Sequence, residues 1–345
     1  MVTFVDVPLM RQWVGEHGAA ALIRDLVPYL EADFRRWPEF DKIARVASHS
    51  PVGVIELMPI ADAASYGFKY VNGHPGNPSR GLQTVTAFGM LADVANGYPV
   101  LLAEMTILTA LRTAATSAMA ARHLARPGSR VLGLIGAGSQ AEFQILGMRE
   151  VVGVDTVRAW DTDPAALDKL ERHADSLGVT LVRARSAADA AEGADIITTC
   201  TADKAYATVL TDAMVAPGVH LNAIGGDCPG KTELDAALVR RSSVFVEYEP
   251  QTRVEGEIQQ VAADHPVTEL WRVLTGGTPG RESEADVTLF DSVGFALEDF
   301  TALRFLLDRV GGTAHAASVD LVADPADPKD LFSLVAAPRV AGRLA

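Results

Sequence analysis

Short apolar runs rich in β-branched residues alternate with amphipathic stretches of helical period from Ser129 onward. Such alternation is typical of a parallel sheet with helices on both faces, so the sequence predicts an α/β fold with a Rossmann-type, doubly wound parallel sheet. The predicted strands are residues 131–135, 157–160, 180–182, 195–199, 219–224, 244–246 and 287–290. The predicted helices between most of them are residues 140–151, 164–176, 233–240 and 295–307.

The first 120 residues show a different pattern. An amphipathic helix is predicted near residues 8–29, followed by short strands that Gly, Pro and Asn interrupt, as in the segment VNGHPGNPSRG. The apolar, alanine-rich stretch 98–121 is predicted to be a buried helix. We therefore predict an α+β domain formed by residues 1–120 with 313–345, and a Rossmann-type domain formed by residues 121–312.

Composition and charge limit the classes of protein to consider. The 345 residues carry a net charge of −14 and are 48% hydrophobic, which suits a globular protein of two domains and works against nucleic-acid binding. Cys200 and Cys228 are too few for a disulfide framework. The start lacks a basic segment followed by an apolar run, and Glu104 and Arg112 interrupt the apolar stretch. We therefore expect a cytoplasmic protein that has no membrane partner.

A predicted strand runs directly into a glycine-rich turn and then a helix. The turn reads GAGSQA at residues 136–141, which is the GxGxxA form of the dinucleotide fingerprint. Gly136 permits the tight turn, Gly138 lets a pyrophosphate approach the backbone, and Ala141 lets the helix lie against the strand. The sequence therefore predicts a dinucleotide site here, with a simple glycine turn as the alternative.

The second predicted strand leads into Asp161, near the spacing of about 20 residues at which dinucleotide sites place an acid. A carboxylate there accepts hydrogen bonds from both ribose hydroxyls and repels a 2′-phosphate, so the sequence predicts NAD rather than NADP. The alternative is that Asp161 or Asp163 caps the helix that begins near Pro164, a role that suits Asp163 better.

The sequence context of three basic residues differs in how clearly it predicts an anionic partner. Arg112 is the only charged residue between Glu104 and Arg122, and a buried arginine needs an anionic partner. That partner is either a protein carboxylate in a structural salt bridge or the carboxylate or phosphate of a ligand. Lys69 alternates with aromatic residues in GFKYV and on that pattern alone faces solvent, whereas Arg45 carries no signal of its own.

The loop GGDCPGK, residues 225–231, follows a predicted strand at its carboxyl end, where open α/β sheets place their ligands. Asp227 in this loop is either an acid or base, or a residue that caps a turn or pairs with Lys231. None of the histidines forms a metal-spaced pair, and Cys228 has no evident His or Cys partner. We expect neither a catalytic metal nor a thiol nucleophile.

Six segments together resemble the ornithine cyclodeaminase/mu-crystallin family, and its ornithine cyclodeaminase branch in particular. They are KYVNGHPGNPSRGLQTVTAFG, GYPVLLAEMTILTALRTAATSA, IGAGSQAEFQ, WDTDP, GGDCPGKTEL and FDSVGFALEDF. The resemblance runs from about residue 45 to residue 300. It implies a homodimer joined through the N-terminal domains, a tightly held NAD, and conversion of L-ornithine to L-proline and ammonia.

The resemblance also implies roles for the residues that match the family's motifs. Arg45, Lys69 and Arg112 would hold the substrate carboxylate. Asp227 would be the catalytic acid/base beside the substrate amine, and Val293 would line the substrate. With the fingerprint glycines included, the residues expected to contact NAD are Thr84, Arg112, Gly136, Gly138, Ser139, Gln140, Asp161, Thr201, Leu221, Asn222, Ala223, Ile224, Lys231 and Ser292.

Two functional questions stay open on the sequence. Glu56, in GVIELMP, either helps to orient the distal amine of the substrate or is an ordinary exposed carboxylate. Other members of the family resemble lysine cyclodeaminases, alanine dehydrogenases or ketimine reductases, and one methylene changes binding by only about 1–3 kcal/mol. A nucleotide-binding protein without turnover is a further alternative, although such a protein does not need Arg45, Lys69, Arg112 and Asp227 together.

Overall fold

The computed structural model describes residues 1–202 and 206–336 and contains two eight-stranded sheets. The first 124 residues form seven strands and three helices, with short 3-10 helices at Trp37–Glu39 and Pro78–Arg80. In chain order they are β1 (Val2–Val5), α1 (Val7–His17), α2 (Ala19–Arg35), β2 (Asp41–Lys42), β3 (Val46–Ser50), β4 (Gly53–Ala61), β5 (Ser65–Gly73), β6 (Ala87–Asp93), β7 (Pro99–Glu104) and α3 (Thr106–Leu124).

The rest of the described chain alternates strands and helices. It adds a π-helix at Met148–Val152 and 3-10 helices at Asp212–Met214, Glu257–Gln260 and Leu331–Leu334. In chain order the elements are β8 (Val131–Ile135), α4 (Ala141–Gly147), β9 (Thr156–Trp160), α5 (Pro164–Arg172), α6 (Ala174–Leu177), β10 (Thr180–Arg183), α7 (Ala187–Ala191), β11 (Ile196–Thr199), β12 (Tyr206–Leu210), β13 (His220–Ala223), β14 (Thr232–Leu234), α8 (Ala236–Arg241), β15 (Ser243–Val246), α9 (Glu249–Glu255), β16 (Thr268–Glu269), α10 (Leu270–Leu274), β17 (Thr288–Asp291), α11 (Ala296–Val310) and β18 (Ala317–Val319).

The second sheet is parallel throughout and has the order β10-β9-β8-β11-β13-β17-β15-β16. The chain moves outward from β8 to β9 and β10, and then returns to the other side of β8 with β11. A crevice for a ligand therefore forms at the carboxyl ends of β8 and β11, where the direction of winding reverses. This arrangement confirms the predicted doubly wound α/β fold.

The first sheet has the order β18-β1-β7-β6-β5-β4-β2, with β3 also paired to β4, and only β1 and β7 pair in parallel. Helices α2, α3 and α11 pack on one another, and α11 covers β4, β5 and β6. Side chains alternate between the faces of a strand, so the buried positions of β4 and β5 include Glu56 and Lys69. The exposed positions of β4 include Ile55 and Leu57.

All seven strands predicted for the second half are present, with ends within one residue of the prediction. The short strands β12, β14 and β16 were not predicted. Three helix predictions are wrong in part. Residues 99–104 of the apolar stretch form β7 before α3 begins, and the predicted helix 233–240 begins only at Ala236 because Thr232–Leu234 pairs with β12. The predicted helix 8–29 is two helices, because Gly18 adopts a φ of 80° between them.

The end of the described chain returns to the first sheet. β18 pairs antiparallel with β1, and α11 packs against β5 and β6 of the same sheet. Residues 337–345, the end of the segment predicted to pack on the N-terminal part, lie outside the described residues. Across residues 1–202 and 206–336, no helix is long and apolar enough to cross a membrane.

Candidate active site

The GAGSQA turn lies at the carboxyl end of β8, beside the end of β11. Gly136 has a φ of +105°, and a Cβ there would lie 2.8 Å from the carbonyl carbon and oxygen of Cys200. Gly138, in contrast, has no atom within 4 Å of the position that a Cβ would take. The turn thus packs tightly on one side and leaves open space over Gly138, as a pyrophosphate-binding turn requires.

Two aspartates at the end of β9 have separate roles. Asp161 accepts hydrogen bonds from the backbone N–H of Ala137 (2.6 Å) and of Asp163 (2.8 Å), so it ties the glycine-rich turn to β9. Asp163 accepts from the N–H of Ala165 at 2.9 Å and caps α5. The capping role predicted for Asp163 is confirmed. Each Asp161 oxygen keeps a further lone pair with which it can accept from a ribose hydroxyl.

The other residues expected to contact NAD lie near this edge of the sheet or on the loop before β6. Gln140 follows the glycine turn, and its buried Oε1 has no hydrogen-bond partner within the described parts of the chain. The Ser292 N–H donates to Ala223 at 2.9 Å, which joins the residues after β17 to the end of β13. Ser139 is exposed in the turn, Thr84 is half-buried between β5 and β6, Leu221 and Asn222 belong to β13, and Ile224 follows it.

The GGDCPGK loop is held by its lysine. Lys231 Nζ lies 3.4 Å from Asp227 Oδ1 and donates to the carbonyl of Thr201 at 3.1 Å. Burial alone would lower the pKa of Lys231, but Asp227 and Glu233 outweigh burial and the pKa is raised. The Asp227–Lys231 pairing considered on the sequence is therefore present, and the Asp227 side chain is 53% exposed. Gly225 packs against Glu233, because a Cβ there would lie 2.2 Å from the Glu233 carboxylate and would displace it.

Lys69 and Arg112 share one carboxylate in the interior. Lys69 Nζ lies 2.9 Å from Asp299 Oδ1, and Arg112 Nε lies 2.9 Å from the same oxygen. Arg112 Nη1 also lies 2.6 Å from Glu298 Oε2. Lys69 is 2% exposed, so the solvent-facing alternative for this residue is wrong. The structural salt bridge considered for Arg112 is present, and it occupies Nε and Nη1 of the guanidinium.

Arg45 forms a second buried cluster with two carboxylates. Its Nη1 lies 3.1 Å from Glu56 Oε2, its Nε lies 3.0 Å from Glu255 Oε2, and its Nη2 donates to the carbonyl of Gly294 at 2.7 Å. Nη2 also donates to the carbonyl of Val293. Glu56 is 6% exposed, so the alternative that it is an ordinary exposed carboxylate is wrong.

The two clusters adjoin. Burial alone would lower the pKa of Arg45, but Glu56, Glu255, Asp227 and Asp299 act in the opposite direction, and the pKa is raised. Asp227 of the loop and Asp299 of the other cluster are therefore both close enough to act on Arg45. The fold thus brings Arg45, Lys69, Arg112, Glu56, Val293 and Asp227 together from positions far apart in the sequence.

Burial and mutual charge set the protonation of these groups. Burial first, and Arg112 second, lower the pKa of Lys69 to about 8. Burial raises the pKa of Glu255 to about 7, although Arg45 opposes the shift. Burial likewise raises the pKa of Glu298 to about 8 against the opposing effect of Arg112. Lys69, Glu255 and Glu298 therefore change protonation near neutral pH.

The sequence reasoning missed the acidic half of the site. Glu247, Glu255, Glu298 and Asp299 are each at most 6% exposed and contact the predicted basic residues or the backbone beside them. A signal existed for two of them. Glu298 and Asp299 interrupt the apolar run of α11, and the argument that gave Arg112 a buried partner applies to them equally.

The fold and this site define a Rossmann-type protein with buried ion pairs at the nucleotide edge of its parallel sheet. The chain belongs to the ornithine cyclodeaminase/mu-crystallin family, whose sequence profile matches residues 7–314. It is 57% identical to an ornithine cyclodeaminase of Agrobacterium fabrum over 335 residues, which are 97% of this chain and 95% of that protein.

Solved structures of the family share the fold. A lysine cyclodeaminase, described with its recognition of L-lysine, L-ornithine and L-2,4-diaminobutyric acid, is 31% identical with a TM-score of 0.89 and covers 96% of this chain and 99% of its own. An archaeal alanine dehydrogenase dimer with bound NAD is 30% identical with a TM-score of 0.80 and covers 89% of this chain and 95% of its own. The scaffold therefore hosts both cyclodeamination and dehydrogenation.

Proposed function

We propose that the protein is an NAD-dependent ammonia-lyase that converts L-ornithine to L-proline and ammonia, with no net oxidation or reduction. Identity of 57% across 97% of the chain to a protein named ornithine cyclodeaminase supports this reaction. The structural observation that carries the proposal is the distribution of charge in the site. Lys69 and Arg112 lie in one cluster with Asp299 and Glu298, while Arg45 lies in the adjoining cluster with Glu56 and Glu255 and near Asp227.

This distribution fits an amino acid with a second amine. A carboxylate binds to cations that are already fixed in place, and a distal ammonium group binds among carboxylates. An alanine dehydrogenase has no distal amine to place, so the further acids Glu56, Glu255 and Asp227 around Arg45 favour cyclodeamination. Arg45, Lys69 and Arg112 hold the substrate carboxylate in this proposal, and Val293 lines the substrate.

The residues at the nucleotide edge fit NAD. The open space over Gly138, the tight turn at Gly136 and the unpartnered Gln140 oxygen form a cradle, and Asp161 is placed to accept from the ribose. Gly136, Gly138, Ser139, Gln140 and Asp161 would hold one half of NAD, and Thr84, Arg112, Thr201, Leu221, Asn222, Ala223, Ile224, Lys231 and Ser292 would hold the remainder. Bound there, NAD would supply a reversible hydride acceptor for the α-carbon of the amino acid.

The protein's own residues perform positioning and proton transfer. The cations fix the carboxylate so that the α-hydrogen has one orientation, and such positioning can supply roughly 7–11 kcal/mol of the barrier. The distal amine must be neutral to attack the α-imine carbon, although a free alkyl ammonium with a pKa near 10 is mostly protonated at neutral pH. Asp227 accepts that proton, Glu56 orients the amine, and ring closure releases ammonia.

The assembly and location complete the proposal. Residues 1–120 with 313–345 form the substrate-binding and dimerisation domain, and residues 121–312 form the NAD-binding domain. The exposed apolar face of the first sheet, which includes Ile55, Leu57 and Phe88, supports a homodimer, because monomers seldom expose such a face. The protein is cytoplasmic in this proposal.

The test is turnover with substoichiometric NAD+. The purified protein is incubated separately with L-ornithine, L-lysine and L-alanine, and proline or pipecolate, ammonia and NADH absorbance are measured. We expect proline and ammonia in excess of total NAD without steady accumulation of NADH. Stoichiometric NADH with alanine, or NAD binding without turnover of any of the three, would contradict the proposal.

Lysine cyclodeaminase is the second candidate. The lysine cyclodeaminase structure superposes with a TM-score of 0.89, and its description includes both L-lysine and L-ornithine. One methylene shifts specificity by only about 1–3 kcal/mol, so the comparison of kcat/KM for the two substrates decides between these activities.

A further inference from the structure

Two buried glutamates, Glu247 and Glu298, act electrostatically on Arg112, and neither has a role in the proposed reaction. Glu247 follows β15, and Glu298 lies in the first turn of α11; both are fully buried. Glu247 Oε1 accepts from the Ser292 hydroxyl at 2.5 Å and from the Gly294 N–H at 3.1 Å. Glu298 Oε2 accepts from Arg112 Nη1 at 2.6 Å. Each glutamate thus has one oxygen fixed by the site.

The second oxygen of each glutamate is buried without a partner. Glu247 Oε2 and Glu298 Oε1 make no hydrogen bond to any residue that the structure describes. An ionised carboxylate oxygen in such a position loses its hydration without compensation, which costs several kcal/mol. A proton on one of these oxygens removes most of that cost.

The charges of the two basic residues and the three acids around them also favour one proton on the glutamates. Lys69 and Arg112 are two cations, whereas Asp299, Glu298 and Glu247 would be three anions if all were ionised. One proton makes the cluster neutral. Without the proton, the group of residues that must receive a carboxylate would itself be negative.

We propose that Glu247 and Glu298 hold one proton between them and thereby keep the carboxylate-binding cluster of Lys69 and Arg112 neutral before substrate binds. The two glutamates are positioning residues that act through Arg112. The identity of the ligand as an amino-acid carboxylate rests on the proposed function. Burial, with Glu247 and Asp299 adding to it, raises the pKa of Glu298 to about 8, and burial raises the pKa of Glu247 as well, which agrees with a proton held at neutral pH.

The groups that face this pair come from several elements. They are Lys69 of β5, Arg112 of α3, Asp299 of α11 and Asp291 of β17, with Arg45 and Glu255 in the adjoining cluster. Lys69, whose pKa is lowered to about 8, is the rival titrating group, since its deprotonation would also weaken carboxylate binding. A test must therefore separate the glutamates from Lys69.

The experiment uses cyclopentanecarboxylate, a ring carboxylate without an amine, so that its own charge is constant above pH 6. Binding to the NAD-saturated protein is measured by calorimetry from pH 6.5 to 9.5 in two buffers of different ionisation enthalpy. We expect Kd to rise about tenfold per pH unit above the pKa of the pair, with proton uptake on binding in that range. Glu298→Gln, a neutral isostere that can still accept from Arg112, should make Kd independent of pH and abolish proton uptake.

A control variant and two contradicting outcomes complete the test. Glu282→Gln, which changes an exposed carboxylate, should retain the behaviour of the unaltered protein. If Glu298→Gln retains the pH dependence, another group such as Lys69, Glu255 or Asp291 is the titrating group and the proposal is wrong. A pH-independent Kd without proton uptake in the unaltered protein overturns it equally, whether or not any variant folds. Because cyclopentanecarboxylate needs no turnover, failure of the proposed reaction would show separately, as absent proline formation.

Discussion

The Arg45 guanidinium lies against the Glu56 carboxylate, with Nη1 3.1 Å from Oε2 and the two side chains 5% and 7% exposed. The pair joins the two roles that we propose for residues distant in function, a cation for the substrate carboxylate at Arg45 and an acid for the distal amine at Glu56. In this structure Arg45 already donates to Glu56 and to the backbone beside it. Its interaction with a substrate therefore depends on where Glu56 is held.

Glu56→Gln tests this relationship. A charge-assisted hydrogen bond is worth about 1.5–3 kcal/mol, so we expect KM for L-ornithine to rise roughly 10- to 100-fold. Binding of cyclopentanecarboxylate, which has no distal amine, should change much less. An equal loss for both ligands would mean that Glu56 acts only by holding Arg45. Glu39→Gln, at an exposed carboxylate, is the control and should leave KM unaltered.

Asp227→Asn should abolish proline formation and leave NAD affinity unchanged. The amide cannot accept the proton of the distal ammonium, but its oxygen can still accept from Lys231, and the fingerprint turn proposed to bind NAD keeps its own contacts. Proline is measured in single turnover, and NAD binding by protein fluorescence. Asp264→Asn, at an exposed aspartate, should retain full activity. Normal proline formation by the Asp227 variant would remove the role assigned to this residue.

Asp161→Asn should weaken NAD binding about tenfold or more, because a charged acceptor for the ribose hydroxyls becomes neutral. The preference for NAD over NADP should fall, since the charge that repels a 2′-phosphate is lost. Titration with NADH and NADPH measures both effects. Asp163→Asn is the matched control, because asparagine also caps helices and Asp163 serves α5. A loss of affinity as large in this control would show that the helix cap, not the ribose contact, matters.

The buried His220 predicts how stability depends on pH. It is fully buried between Thr288 (2.9 Å) and Asn222 (3.2 Å), and burial lowers its pKa to about 3. In the unfolded chain an ordinary histidine binds its proton near pH 6.5. The unfolded state therefore holds one more proton between about pH 6.5 and 3, and acidification through this range destabilises the folded state.

Urea unfolding at a series of pH values measures that dependence. In His220→Gln, the slope of unfolding free energy against pH below pH 6.5 should fall by about 1.4 kcal/mol per pH unit, the equivalent of one proton. His49→Gln, at an exposed histidine, should leave the slope unchanged. An unaltered slope in the His220 variant would show that the buried histidine binds a proton in the folded state.

Leu57→Asp tests the proposed homodimer. Leu57 is 44% exposed, and its neighbours on the outer face of the first sheet include Ile55 and the stacked rings of Tyr70 and Phe88. A buried aspartate at an interface is strongly unfavourable, so sedimentation should show a monomer. Val182→Asp, at an exposed position of the other sheet, should leave the dimer intact. A dimer that persists in the Leu57 variant would place the interface elsewhere.

The second sheet could be predicted because its signals are local. Each strand from β8 to β17 that was predicted is an apolar run bounded by turn residues, and the fingerprint joins a strand and a helix within eleven residues. The helix prediction for residues 98–121 was wrong in part because its local pattern is ambiguous. Its first part, PVLLAE, is apolar up to Glu104, and period alone does not separate a buried strand from a buried helix.

The acidic half of the site depends on distant contacts, which a local pattern does not contain. Glu298 and Asp299 reach Arg112 from 186 and 187 residues away, and Glu255 reaches Arg45, which directly precedes β3. A charge in an apolar helix shows that a partner exists, but the fold alone decides which residue it is. Lys69 shows a second limit of sequence reasoning, which is that alternation along a strand does not reveal which face is buried. The strand of Lys69 alternates with aromatic residues, and only the packing of α11 on it decides that Lys69 is on the covered face.

The return of the chain to its first sheet has a consequence for synthesis. The second sheet is complete at Asp291, but α11 and β18, which cover and extend the first sheet, leave the ribosome only afterwards. A nascent chain therefore carries the inner face of β4 and β5 uncovered until α11 has been made, with Lys69 lacking its partner on α11 until then. Folding of the Rossmann-type part first, and closure of the first sheet last, is the order that this connectivity imposes on newly made chains.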